Sequence, residues 1–85
     1  MAYFTNVGFG NVVDRDKIVS VVSTEAAPIR RMIQNARDEG RAVDATCGRK
    51  TKAALIMESG HIVLSALTTE TITARCQQQT GENPV

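Results

Sequence analysis

The chain of 85 residues carries ten Lys and Arg against nine Asp and Glu, for a formal net charge of +1. That length allows one domain with a modest core, which commonly relies on oligomerisation when disulfides and metals are lacking. Cys47, Cys76 and the single His61 fit neither a disulfide framework nor a zinc site at any familiar spacing, and no apolar run approaches the roughly 20 residues that cross a bilayer.

Residues 1–7 open with an apolar, β-prone stretch. In Val7-Gly8-Phe9-Gly10-Asn11 two glycines flank an aromatic, which predicts a tight turn or bulge with Phe9 as an anchor. The same run echoes a phosphate-binding glycine loop, but it lacks the third glycine and the helix which that loop requires. Residues 11–13 read as a short strand and 14–16 as a charged turn. Residues 17–22 read as a strand because Ile18, Val19, Val21 and Val22 are β-branched. Lys17 stands at its start.

Pro28 marks a helix entrance and suits the first helical position, while Ser23 or Thr24 suits the cap of an earlier turn. Ile29, Met32, Ile33 and Ala36 recur at i, i+3, i+4 and i+7, one apolar stripe of a helix running to about residue 39. Gly40 is placed to cap its C-terminus. Residues 41–46 read as a short strand. Residues 52–58 and 61–67 are two strong strands separated by Ser59-Gly60, which predicts a hairpin with a two-residue loop. Thr68-Thr69-Glu70 caps a final helix with Ile72 and Cys76 on one stripe, and residues 77–85 read as a frayed polar tail. The expectation is an α+β fold: a small, mostly antiparallel sheet with two helices on one face.

Between the short strand and the hairpin lies Cys47-Gly48-Arg49-Lys50-Thr51-Lys52, which places three cations in four residues directly before the apolar run Ala53-Ala54-Leu55-Ile56-Met57. Residues 45–57 contain no acid. A basic loop held by a glycine turn at a strand start suits phosphate, because charge-assisted hydrogen bonds to phosphate are strong. The bland alternative is a solvated loop that blunts the strand end. The only aromatics, Tyr3, Phe4 and Phe9, lie at the N-terminus, which argues against the base-stacking sheet of single-strand binders.

No catalytic constellation emerges, so the chain does not read as an enzyme. His61 reads as a strand-end residue with a hydrogen-bond partner. Asp44 reads as a buried carboxylate or as a partner of Arg49 or Lys50 that fixes the loop. Cys47 reads as a partly buried inert thiol or, beside Arg49 and Lys50, as a reactive one. Two unpatterned cysteines and the lack of a signal-peptide pattern point to a soluble protein in a reducing cytoplasm.

Asn6-Val7-Gly8-Phe9-Gly10-Asn11, Ala27-Pro28-Ile29-Arg30-Arg31, residues 44–51 (Asp-Ala-Thr-Cys-Gly-Arg-Lys-Thr) and Ile62-Val63-Leu64-Ser65-Ala66 occur in this order. Together they resemble the RemA family of small bacterial regulators over about residues 3–75. The resemblance implies a cytoplasmic, DNA-binding transcriptional activator of extracellular-matrix (biofilm) and osmoprotection genes. It also implies a single domain over residues 1–76 for DNA binding and oligomerisation, a flexible tail over 77–85, and a ring-shaped homo-octamer. The partners implied are double-stranded DNA and further copies of the chain, with no membrane, cofactor or metal. Family DNA contacts fall on Lys17, Arg49 and Lys50, with Lys52 the next basic neighbour. The family pattern has Arg where this chain has Lys17, often Arg at Lys50, and usually Tyr at Cys47. Lys binds phosphate as a point charge without the planar Arg fork, so Lys17 suits backbone contact rather than bidentate reading of guanine.

Arg30 and Arg31 are open between the DNA surface and a subunit interface. Phe9, Val12, Val13 and parts of residues 62–67 exceed the needs of one small core and suggest a head-to-tail interface, the kind a ring closes with. The competing reading is a structural oligomer whose basic loop pairs with Asp14, Asp16 or Glu58 of a neighbour, without nucleic acid.

Overall fold

A computed structural model describes the chain from residue 3 to residue 82, with side chains to residue 77. A two-stranded hairpin, β1 (Phe4–Gly8) and β2 (Asn11–Asp14), comes first, followed by a 3-10 turn at Arg15–Lys17. A four-stranded sheet follows, built from β3 (Ile18–Ser23), β4 (Ala42–Asp44), β5 (Ala53–Met57) and β6 (Ile62–Ser65) in the order β3-β5-β6-β4. The helices are α1 (Ala27–Asp38) and α2 (Thr69–Glu82). All strand pairs are antiparallel except β4 with β6, which run parallel.

The central strands β5 and β6 are covered on both faces, which is why they read as continuous apolar runs without alternation. On one face α1 packs Ile33 and Ala36 against Ala54, Ile62 and Leu64. Ala36 and Ala54 are both fully buried, and such small side chains let a helix approach the sheet closely. On the opposite face Leu55 and Val63 pack with Val7 of β1 and Ile72 of α2, flanked by Met57 and Cys76. The expected stripes of both helices are therefore in place, but the helices lie on opposite faces of the sheet rather than on one. The hairpin β1–β2 shares the α2 face.

Several local expectations are met. Thr68 caps α2, its Oγ1 accepting from the Thr71 N–H at 3.2 Å. Ser23 caps an earlier turn by accepting from the Glu25 N–H at 3.3 Å. Pro28 is the second residue of α1 rather than the first, still in the first turn, where its missing donor is not needed. Gly40 follows α1 at φ 75°. Two details differ. The β5–β6 loop has three residues: the Met57 N–H donates to the His61 carbonyl, and Gly60 takes φ 92°. That is the hairpin whose last loop residue is left-handed. In addition, α2 runs to Glu82, so the boundary placed after Cys76 falls inside a helix. Residues 83–85 of the expected tail, like residues 1 and 2, lie outside the described residues.

Residues 62–65 are not available for a subunit interface, because all four are buried in the core of their own chain. Among the described residues the large apolar side chains left exposed are Phe4, Phe9, Val12, Val19 and Val43.

Ser65, fully buried at the end of β6, joins the pieces. Its Oγ donates to the Val7 carbonyl at 2.8 Å and accepts from the Leu67 N–H at 3.0 Å. Val7 sits where the β1–β2 register shifts between Asn6 and Gly8, so the hydroxyl serves a backbone carbonyl at an irregularity in the ladder. The Ser65 carbonyl meanwhile accepts from the Lys52 N–H at 2.8 Å. Ser65→Ala leaves buried backbone groups unserved and is expected to destabilise the fold by about 1–3 kcal/mol. Urea unfolding of the variant against the wild type measures this.

Candidate nucleic-acid interface

The basic loop crosses one end of the sheet. It leaves β4 at Asp44, passes the C-terminal end of β6 and enters β5 at Ala53. Its ends are pinned to β6 by the Ala45 N–H donating to the Leu64 carbonyl and the Lys52 N–H donating to the Ser65 carbonyl. At its tip the Arg49 N–H donates to the Thr46 carbonyl at 3.0 Å. Cys47 and Gly48 both have positive φ, 55° and 81°, as a type I′ turn requires. Asp44 fixes the first half: its Oδ1 accepts from the Thr46 hydroxyl at 2.6 Å and from the Thr46 N–H at 2.9 Å. The carboxylate therefore organises the loop through Thr46, not through the cations, and it lies on the surface rather than buried.

Arg49, Lys50 and Lys52 are all exposed. Among the described residues none of the three has an acidic partner within ion-pair distance. They line one groove of about 400 Å³ with Phe9, Ala66 and Leu67. The Arg49 guanidinium lies over the Phe9 ring at 5.2 Å from its centroid, inside the range of a cation–π contact. Phe9 is half-exposed, at 49 %, so it anchors Arg49 rather than the core.

The turn that presents Phe9 is unusual: Gly8, Phe9 and Gly10 have φ of 110°, 56° and 80°. Asn6 and Asn11 brace it, Asn6 Oδ1 accepting from the Gly8 N–H at 2.7 Å and Asn11 Nδ2 donating to the Gly8 carbonyl at 3.0 Å. A left-handed phenylalanine carries strain of order 1–3 kcal/mol. The run joins two antiparallel strands and opens no helix, so it is not a dinucleotide-binding loop.

Lys17 is not part of this groove within one chain. Ile18 pairs with Met57 and Ser23 with Ala53, so Lys17 lies at the far end of the sheet, about 17 Å of strand away. There Lys17 Nζ is 3.5 Å from Glu58 Oε1, both side chains exposed, a pair of little energetic weight. The two share a groove of about 530 Å³ with Val13, Asp14, Met57 and His61. The strand-end His61 has its expected partner: its Nδ1 lies 2.8 Å from the Ser59 hydroxyl.

Arg30 and Arg31 occupy the exposed side of α1. Arg30 is tied to the loop before the helix, donating to the Glu25 carbonyl at 2.6 Å. It lines a small groove with Thr24, Thr51 and Arg37, next to the basic loop through Thr24 Oγ1, which donates to the Thr51 carbonyl at 2.9 Å. Arg31 lines none of these grooves. Phe9 and Arg37 escaped the sequence-based site. The glycine-flanked aromatic was the signal for Phe9, whereas nothing in the helix pattern separated Arg37 from a solvated face. Cys47 is exposed, not partly buried. Among the described residues no cluster of His, Cys, Asp or Glu is arranged to hold a metal ion, and no helix is long and apolar enough to cross a membrane.

Comparison with known proteins adds a family. The RemA-like family model, described as extracellular matrix regulatory protein A-like, matches residues 4–76. A "Putative regulatory protein" of Lachnoclostridium phytofermentans is 62% identical over 74 residues, which cover 87% of this chain and 81% of that protein. The extracellular matrix regulatory protein A of Bacillus subtilis is 53% identical over 70 residues, 82% of this chain and 79% of that protein. A "Putative regulatory protein" of Synechococcus elongatus is 52% identical over 77 residues, 91% and 88% of the two chains.

The Asp44 anchor has a pH signature. The Thr46 hydroxyl, and after it the Thr46 N–H, hold the Asp44 carboxyl below its ordinary pKa; the Arg37 charge helps and partial desolvation opposes. A depressed folded-state pKa contributes stability above the unfolded value, and that contribution is lost as pH falls through the folded one. Asp44→Asn is therefore expected to lower stability at neutral pH and to flatten its decline below about pH 4. Urea unfolding of both proteins at neutral and acidic pH checks this.

Proposed function

The chain belongs to the RemA-like family, and on that premise we propose that it is a DNA-binding transcriptional regulator whose contact surface is the basic loop. The single observation that carries this reading is the cluster of Arg49, Lys50 and Lys52: exposed, in one groove, without an acidic partner among the described residues. A surface of this kind contacts phosphates, which position a protein on the duplex without reading its bases. Three cations on one chain bind DNA weakly at physiological salt, since each neutralised phosphate contributes only about −0.9 to the salt slope.

Repetition makes up the difference. In the reading proposed here the chain forms a homo-oligomeric ring, an octamer by family resemblance, that repeats the patch around its rim. Linked weak sites gain about 10²–10⁴-fold over one site when the geometry permits. The positions of the charges support a head-to-tail arrangement: the basic loop lies at one end of the sheet, and Lys17, Asp14 and Glu58 border a groove at the other. Copies stacked end to end bring Lys17 of one chain towards the loop of the next and restore a composite patch. Specificity then arises from DNA bendability over a long contact rather than from base edges. Activation of extracellular-matrix and osmoprotection genes is the downstream role that this reading carries.

The same charge separation favours one second reading, a structural oligomer in which the basic loop pairs with Asp14, Asp16 or Glu58 of a neighbour and binds no nucleic acid. The two differ in what salt does. Size-exclusion chromatography with light scattering, with and without a promoter-length duplex, is expected to show a defined oligomer that takes up DNA and releases it as salt rises. An oligomer that ignores DNA and dissociates in salt favours the structural reading. Arg49→Ala is expected to abolish the mobility shift of the duplex while leaving the oligomer intact; normal binding by this variant removes the loop from the DNA surface.

A further inference from the structure

Phe9 is poorly explained by the fold alone. Its ring is half-exposed and its φ is 56°, so it gives up burial and sits in a conformation that glycine adopts freely. Glycine stands on both sides of it, and Asn6 and Asn11 hold the turn without the ring. An observed backbone outlier of this kind is grounds for seeking a function. Leu67, which lies close to Gly8 of the turn, and Ala66 line the same groove as Phe9, Arg49, Lys50 and Lys52. The groove thus combines apolar and cationic side chains.

We propose that Phe9 is a second contact element of this surface: its ring orients the Arg49 guanidinium and packs against a deoxyribose next to the phosphate that Arg49 holds. The proposal rests on the DNA-binding reading above. The sugar–phosphate backbone alternates an anion with a less polar sugar, and protein contacts to DNA fall largely on these two groups. A guanidinium stacked on an aromatic face keeps its in-plane N–H groups for an oxyanion. Among the described residues Arg49 makes no side-chain hydrogen bond or ion pair that would compete, and its ring contact is to Phe9. Phe9 itself offers no hydrogen-bonding group, so it adds affinity without base preference, as the backbone reading requires.

The test is a titration of a labelled promoter-length duplex by fluorescence anisotropy at fixed salt, for the wild type, Phe9→Gly and Phe9→Tyr. Thermal unfolding and light scattering are measured on each protein. Phe9→Gly relieves the strain, so its melting temperature is expected to hold or rise and its oligomer to keep its mass. Its affinity for DNA is nevertheless expected to fall about five- to thirty-fold, the scale of a lost cation–π and packing contact. Phe9→Tyr keeps the aromatic face and is expected to restore binding. If Phe9→Gly binds as the wild type does, the role of Phe9 is overturned and the DNA reading stands. If Phe9→Gly breaks the oligomer, the ring is a subunit contact and the proposal is equally overturned. If the wild type itself ignores DNA, the underlying reading fails and takes this proposal with it.

Discussion

The buried hydroxyl of Ser65 ties together the parts of this small fold. One short polar side chain at the end of the central strand β6 serves the Val7 carbonyl of β1 and the Leu67 N–H that leads to α2. The same residue's carbonyl receives the Lys52 N–H at the end of the basic loop. Two segments remote from Ser65 in sequence, at Val7 and at Lys52, therefore meet it at one satisfied polar centre in an apolar interior. A buried polar group holds such a junction only when its partners are all present. The Phe9 turn, the basic loop and the start of α2 are brought to one end of the sheet by it.

Around that junction the charge is local, since the net charge is only +1. Among the described residues Arg49, Lys50 and Lys52 have no acidic partner within ion-pair distance, although Glu25 and Glu70 line a neighbouring groove with Lys50 and Lys52, whereas Lys17 at the other end of the sheet is already neighboured by Glu58. A nearly neutral chain can still present a local basic cluster in this way. Net charge bears on solubility and on non-specific attraction, and it is the local field that bears on a specific contact.

Much of the fold was legible in the sequence because it rests on local rules. The 3.6-residue stripe of α1, the Thr68 cap of α2, the glycine turn of the basic loop and the glycine-flanked Phe9 turn all depend on neighbours a few residues away. The continuous apolar runs of β5 and β6 marked buried strands. They did not reveal which helix covers which face, because a strand buried on both sides carries no alternation that points to either. The parallel pairing of β4 with β6 was hidden for a related reason: it joins segments that are not consecutive. The apolar surplus of β6 points to an interface only while its second covering layer is absent from view; both layers bury it within its own chain.

For the candidate site the division is similar. The family, the cluster of Arg49, Lys50 and Lys52, and the glycine turn that presents it follow from the linear order of residues, since charge order and glycine placement are properties of adjacent residues. That Phe9 lies beneath Arg49, that Asp44 anchors the loop through Thr46, and that Lys17 stands at the opposite end of the sheet became visible in the folded chain alone. Strand pairing sets those distances, and pairing is a relation between segments that the linear order of residues does not contain.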